Sequence, residues 1–333
     1  MKNVIVTGAS GFIGSALVRR LLDQGVQVHG IDNLSRLGSE INAARLMTAK
    51  GFHLHRIDLA NSSKTNDVFE RIGPVDAVYH LAAQVAVTTS YVDPRLDFFD
   101  NAVGSFNVVE AVRRYTPEAY CLYASTNKVY GHLEVCTPVG MSHHLNPYTP
   151  YGVSKATGEL YFSEYGRKEI GLRTCSLRQS CIYGHHQYGV EDQGWMAWFS
   201  IANLLGKPIT IYGDGQQVRD LLFIDDLVDM YLEAYEKELL GAYPIGGGPE
   251  RQISLQQGLD IIQGITGKSF QRSDSAETRP GDQPYFVADL SWVQDAGLSW
   301  TPSVGVDDGV AQMVHWIESN LDDVKTLLES RDS

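Results

Sequence analysis

Positive charge is in short supply in this chain. Its 27 lysines and arginines face 40 aspartates and glutamates, giving a formal net charge of -13 over 333 residues. A nucleic-acid partner needs a basic stripe to displace counterions from phosphates, so the balance argues against that class. A small anionic ligand stays open, because a few well-placed arginines suffice. Long apolar runs are missing too. No stretch approaches the ~18 apolar residues of a membrane span, and Met1-Lys2-Asn3 runs straight into VIVTG without an apolar leader or cleavage site. Cysteine is scarce: Cys121, Cys136, Cys175 and Cys181 show no CxxC or zinc spacing. Cys121 and Cys175 lie in apolar runs, and four buried or semi-buried thiols imply a reducing cytoplasm. The glycosylation acceptor Asn61-Ser62-Ser63 means nothing without a secretory route. Repeats, low-complexity tracts and obvious linkers are also lacking.

What remains is an ordinary globular composition, 43% hydrophobic and 20% charged, ample for a sizeable core. Residues 3–8 (NVIVTG), 26–32, 52–58, 75–83, 119–125 and 173–178 read as strands. Amphipathic stretches lie between them, the clearest at 11–24, 94–115 and 151–168. Strands alternating with helices imply parallel pairing and right-handed crossovers, hence an α/β, doubly wound parallel Rossmann sheet. After residue 178 the rhythm changes to Gly- and aromatic-rich loops between shorter elements. The reading is therefore residues 1–178 as a nucleotide-binding domain and 179–333 as a smaller α/β lobe over the C-terminal edge of the sheet. The boundary is interleaved, since a strand such as PITIYG (208–213) could return to either part.

TGASGFIG places Gly8, Gly11 and Gly14 directly after a strand and at the start of a helix. The glycines allow close backbone approach, and the helix N-terminus offers unpaired N–H groups to a pyrophosphate. Such glycines can also serve a plain tight turn. Here Asp32 ends the second strand where a ribose hydroxyl would lie. A carboxylate there accepts from a 2′-OH and repels a 2′-phosphate, which favours NAD over NADP; Arg36 lies close enough to weaken the preference. Phe12 and Ile13 in the loop, Asn33 beside Asp32, Asp58-Leu59 after the third strand, and Leu81, Ala82 and Ala83 after the fourth complete the cofactor set.

LYASTNKVYG (122–131) turns abruptly polar at the same sheet edge, and 25 residues after Thr126 comes YGVSK, Tyr151 to Lys155. A tyrosine and a lysine four apart on a helix share one face. The ammonium can draw the phenol down from its ordinary pKa of about 10, making a base near neutral pH. A surface Tyr/Lys pair is the plain alternative.

Glycine loop, strand-end Ser/Thr and YxxxK together resemble the extended short-chain dehydrogenases/reductases, over nearly the whole chain. The resemblance implies NAD as cofactor and a nucleoside-diphosphate sugar as ligand. Thr126 would then bond the reacting hydroxyl, Tyr151 would remove its proton, and Lys155 would hold the nicotinamide ribose and tune Tyr151. Arg219 in GDGQQVRD and Arg279 in RPGD match the arginines placed on the diphosphate, and Tyr212 matches the aromatic set against the base. The dehydratases of this family usually carry Asp-Glu after the strand-end Thr to eliminate water. Here those positions are Asn127 and Lys128, which would orient substrate instead. STNKVYG, AAQVAVTTS (82–90) and SCIYGHHQYGVEDQGW (180–195) look like the CDP-paratose 2-epimerase (CDP-tyvelose epimerase) group, and Cys181 stands where 4-epimerases usually have asparagine.

That likeness implies inversion at C2 of a CDP-hexose through a transient 2-keto sugar. Glu191, Asp192 and Gln193 would lie near the sugar or diphosphate, with Trp195 as an apolar wall. A UDP- or other NDP-sugar 4-epimerase and a non-catalytic NAD-binding sensor are the alternatives. Family members pair through helices matching 94–115 and 151–168, implying a homodimer and allowing a tetramer. His143-His144 and His185-His186 lack a third ligand at recognised spacing, so no metal is expected.

Overall fold

Short β-branched strands linked by amphipathic helices bury both faces best as parallel strands with helices on either side. The computed structural model, which describes residues 1–133 and 136–332, has this arrangement. Strands β1 (Asn3–Thr7), β2 (Gln27–Asp32), β3 (Phe52–Arg56), β4 (Ala77–His80), β5 (Tyr120–Thr126) and β6 (Arg173–Gln179) follow the expected order. With a seventh strand, β10 (Gly241–Ile245), they form a wholly parallel sheet ordered β10-β6-β5-β4-β1-β2-β3. Alternation along β1 sorts the two cores. Val4 and Val6 pack with Leu17 and Leu21 of helix α1 (Phe12–Asp23), while Ile5 packs with Phe69, Val108 and Val112 on the other face.

The seventh strand, β10 (Gly241–Ile245), comes from the far side of residue 178 and pairs with β6, Gly241 opposite Cys175 and Ile245 opposite Gln179. The remaining second-half strands form their own sheets. These are β7 (Cys181–Tyr183), β9 (Val218–Phe223), β11 (Gln252–Ser254) and β13 (Tyr285–Phe286) in one, and β8 (Ile209–Tyr212) with β12 (Arg272–Ser275) in another. PITIYG therefore stays in the second lobe.

Two helices differ from the reading. The stretch expected at 94–115 is α-helical at Pro94–Asp97 and Gly104–Tyr115, with a wider π-helical segment, Phe98–Val103, between them. Within that segment Asn101 Nδ2 reaches Ser154 Oγ (2.9 Å) and Gln84 O (3.0 Å), tying it to the neighbouring helix and to the loop after β4. That neighbour, Pro150–Tyr165, begins at a proline capped by Thr149 and ends three residues before Lys168. All four cysteines are free. Cys121 and Cys175 are buried, but Cys136 is exposed, contrary to expectation. Among the described residues no helix is long and apolar enough to cross a membrane.

Candidate active site

The sheet order reverses between β1 and β4, and the crevice there is where an α/β sheet accepts a ligand. Thr7 Oγ1 pins the crevice, accepting from Leu81 N (3.1 Å) and Ala82 N (3.2 Å) and bonding His80 Nδ1 (2.7 Å). Burial takes His80 down to about 3, so it serves as a neutral strut. A groove opens above the crevice. Gly8, Gly11, Phe12, Ile13, Gly14, Asp32, Asn33, Asp58, Leu59, Leu81, Ala82 and Ala83, the sequence-assigned cofactor residues outside the YxxxK helix, all line it. Two glycines are obligatory for close packing. Gly8 has φ +65° and a Cβ there would lie 2.8 Å from Ala82 N, while a Cβ on Gly14 would lie 2.0 Å from Gly8 O.

The residues fit NAD. The first turn of α1 has no side-chain cap, leaving its N–H groups to a pyrophosphate. Asp32 is held by Ser10 N (2.9 Å) and Leu34 N (2.8 Å), with its carboxylate on the groove; burial raises its pKa and these two bonds oppose the rise. Ser10 Oγ, Asn42 Oδ1 and Gln187 Oε1, all from lining residues, are buried without a partner and would be satisfied by a polar ligand. Sequence reasoning missed Asn42 and the His186–Gly189 segment, which reach the groove from a helix and from the second lobe. Gln193, expected near a sugar or diphosphate, also lines this groove, in a loop closed by its backbone pairing with Val190 (N to O 2.9 Å).

Thr126, Tyr151 and Lys155 are buried, at 8%, 7% and 3% exposure, and lie outside the groove lining. The Thr126 hydroxyl donates to Asn127 Oδ1 (3.3 Å), and its proximity favours the ionised Tyr151 phenol. Burial pushes Tyr151 up to about 12 and Asp97 adds to the rise, while Thr126 and Arg36 pull it down. The expected pull from Lys155 is not among these effects. The Lys155 ammonium instead sits 4.4 Å over the Tyr123 ring, and burial brings it down to about 7 against the opposing charge of Glu159.

Glu159, one turn beyond Lys155, is 1% exposed. It accepts from Ser125 Oγ (2.5 Å) and, in a fork, from Arg178 Nε (2.9 Å) and Nη2 (2.7 Å). Arg178 also donates to Tyr130 OH (3.1 Å).

Beyond the strand end, Asn127 exchanges amide contacts with Gln283 (Nδ2 to Oε1 3.3 Å). Lys128 Nζ donates to Gly281 O (3.1 Å) and lies 3.9 Å from Asp282, whose carboxylate also holds Arg219 Nη2 at 2.6 Å. Burial, with Arg219 adding, lowers Lys128 to about 8. Arg279 and Tyr212, matched in the sequence to diphosphate and base, lie against each other. Arg279 stacks on the Tyr212 ring at 4.6 Å and donates to Glu191 O at 2.8 Å. Trp195 Nε1, expected as an apolar wall, donates to Cys181 Sγ (3.0 Å); burial holds that thiol up at about 11. His185 pairs with Asp225 (3.2 Å) and His186 lies against Trp316. Among the described residues no group of three metal-ligating side chains is assembled.

Residues 4–246 match the profile of the NAD dependent epimerase/dehydratase family. The CDP-paratose 2-epimerase of Salmonella typhi is 36% identical over 95% of this chain and 99% of its own length. The UDP-glucose 4-epimerase of Mycolicibacterium smegmatis is 32% identical over 95% of this chain and 98% of its own. The crystal structure of the Thermus thermophilus UDP-glucose 4-epimerase complexed with NAD superposes with a TM-score of 0.86 at 32% identity, covering 95% of this chain and 99% of that one.

Proposed function

The chain belongs to the NAD-dependent epimerase/dehydratase family, and from that premise we propose that it inverts C2 of a CDP-hexose through a transient 2-keto sugar. One site observation carries the choice of epimerisation over dehydration. The two positions after Thr126 hold an amide engaged by Gln283 and a lysine held by Gly281 and Asp282, so the proton carriers for eliminating water are lacking. The choice of C2 and cytidine rests on the 36% identity to a CDP-paratose 2-epimerase.

In this reading residues 1–178 hold the cofactor and 179–333 the nucleotide sugar. NAD, when bound, takes up and returns the hydride of the epimerised carbon. Thr126 bonds the reacting hydroxyl. The Tyr151 oxygen takes the hydroxyl proton and later gives it back. Because Tyr151 alone rests near 12, it needs added positive charge to act near neutral pH, and Lys155 and the oxidised nicotinamide are the available sources. Lys128, Arg219 and Arg279 anchor the diphosphate, so that the flat ketose can turn over without leaving.

Exposed Phe98 (56%), Phe106 (37%), Leu160 (59%) and Tyr161 (41%) on the 94–115 and 150–165 helices support a homodimer through those helices.

Incubation with CDP- and UDP-hexoses, followed at C2 and C4 by NMR, tests the function. Inversion at C2 of a CDP-hexose is the expected result. Inversion at C4 of a UDP-hexose would favour the second reading, which the Mycolicibacterium and Thermus relatives support. No turnover of either by NAD-loaded protein would leave a binding module.

A further inference from the structure

The catalytic assignment leaves Glu159, buried one turn beyond Lys155, without a role. We propose that Glu159 is a positioning residue, holding the Lys155 ammonium in its charged form and locking the Thr126 strand end to the helix that carries Tyr151. The inference rests on the reading of Tyr151 and Lys155 given above.

Spacing supplies the first argument. Residues 151, 155 and 159 follow one another at four-residue intervals on the Pro150–Tyr165 helix and so form one stripe. All three are buried. A buried carboxylate paired with arginine gains little over an apolar pair of the same volume, so packing alone gives no reason for it. Its contacts supply the second argument. Glu159 joins three elements: its own helix, β5 through Ser125, and β6 through Arg178. Ser125 immediately precedes Thr126, which acts on the Tyr151 phenol by lowering its pKa. Moving Glu159 would thus shift helix and strand end relative to each other.

Charge supplies the third argument. Around Glu159 stand Arg178 on β6, Lys155 on its own helix, Tyr123 and Ser125 on β5, Cys175 on β6 and Tyr130 on the turn after β5. His80 on β4 faces Lys155 and is neutral. Burial also keeps Tyr123, Tyr130 and Cys175 protonated. Glu159 is therefore one anion between two cations, of which only Lys155 can give up its proton near neutral pH. Removing the anion leaves Lys155 with no opposing charge to offset its burial, and its proton is lost at lower pH.

Glu159→Gln removes the charge and keeps the shape, since its amide can still accept from Arg178 and donate to Ser125. Lysine carbons labelled next to Nζ, with Lys155→Met to assign the signal, report the ionisation directly by NMR. In Glu159→Gln the Lys155 titration is expected to move down by about one pH unit. The alkaline limb of kcat should move with it, while KM for the CDP-hexose and the bound NAD stay near wild type. Glu159→Asp, which keeps the charge, should restore most of the limb. An unchanged Lys155 titration in folded Glu159→Gln overturns the inference. Should that variant fail to fold, Arg178→Gln leaves the anion less compensated and must move Lys155 upward; no movement, or a downward one, would overturn the inference equally. If Tyr151→Phe turned over like wild type, the catalytic reading would fail on its own, while the titration would still decide the role of Glu159.

Discussion

Asp282 Oδ1 lies 2.6 Å from Arg219 Nη2, and the same oxygen reaches Lys128 Nζ at 3.9 Å. One carboxylate thus partners a cation from β9 and a cation from the turn after β5. A diphosphate entering between them would have to share or replace that partner. Its two phosphates offer more acceptor oxygens than one carboxylate does.

Arg219→Ala and Arg279→Ala each remove a charge-assisted contact, a loss of about 1.5–3 kcal/mol per contact. If the arginines only anchor the nucleotide, KM rises with kcat little changed. We expect kcat to fall as well, with keto sugar escaping into solution, because the turning ketose has no other strong handle. Unchanged kinetics in both variants would place the nucleotide elsewhere.

Tyr151→Phe keeps the ring and removes the oxygen proposed to exchange the proton. Turnover should drop at least ~100-fold with NAD still bound. Near-wild-type epimerisation would take Tyr151 out of the mechanism.

The protein purified without added nucleotide should carry NAD or NADH in preference to NADP if Asp32, which lines the groove, repels a 2′-phosphate as proposed. Asp32→Ala should weaken NAD binding and narrow the gap to NADP. Recovery of as much NADP as NAD from the wild-type protein would refute the role of Asp32.

His29, with His55 Nε2 at 3.2 Å from its Nδ1 and the His53 ring stacked at 5.3 Å, is brought down from 6.5 to about 4 by burial and by both neighbours. The unfolded chain therefore binds this proton first as pH falls. The stability His29 contributes is complete above pH 6.5 and is lost progressively toward pH 4. Thermal unfolding should show a smaller fall in Tm between pH 7 and pH 5 for His29→Asn than for wild type. An equal fall would mean that the cluster does not titrate as its packing requires.

Leu160 is 59% exposed on the helix assigned to the dimer. Leu160→Glu should convert a dimer into a monomer in light scattering at micromolar concentration. A wild-type monomer under the same conditions would refute the assembly.

Much of this site could be read in the sequence because its signals are local. A glycine loop between strand and helix, an acid at a strand end and a Tyr/Lys pair four apart each fall within a few residues, and the sheet brings the strand ends to one edge. What escaped depends on distant partners. Glu159 stands at helical spacing from Lys155, but its importance comes from Arg178 on another strand. Asp282 was visible beside Arg279, yet its partner is Arg219, 63 positions away. That Gln193 lines the same groove as the glycine loop was not legible either, because its loop pairs backbone to backbone with Val190, which polarity patterns do not encode.

The return of Gly241–Ile245 to the main sheet has a consequence for how the chain becomes a protein. Residue 178 is an attractive place to cut on a domain diagram, but a fragment ending there leaves β6 as an open edge, its outer N–H and C=O groups unpaired. Such a strand invites pairing with another copy. The order of synthesis compounds this, because the last strand of the first sheet leaves the ribosome after more than sixty further residues have been made. The nascent first half must wait, with one side unfinished, until the chain has travelled through β7, β8 and β9 and come back.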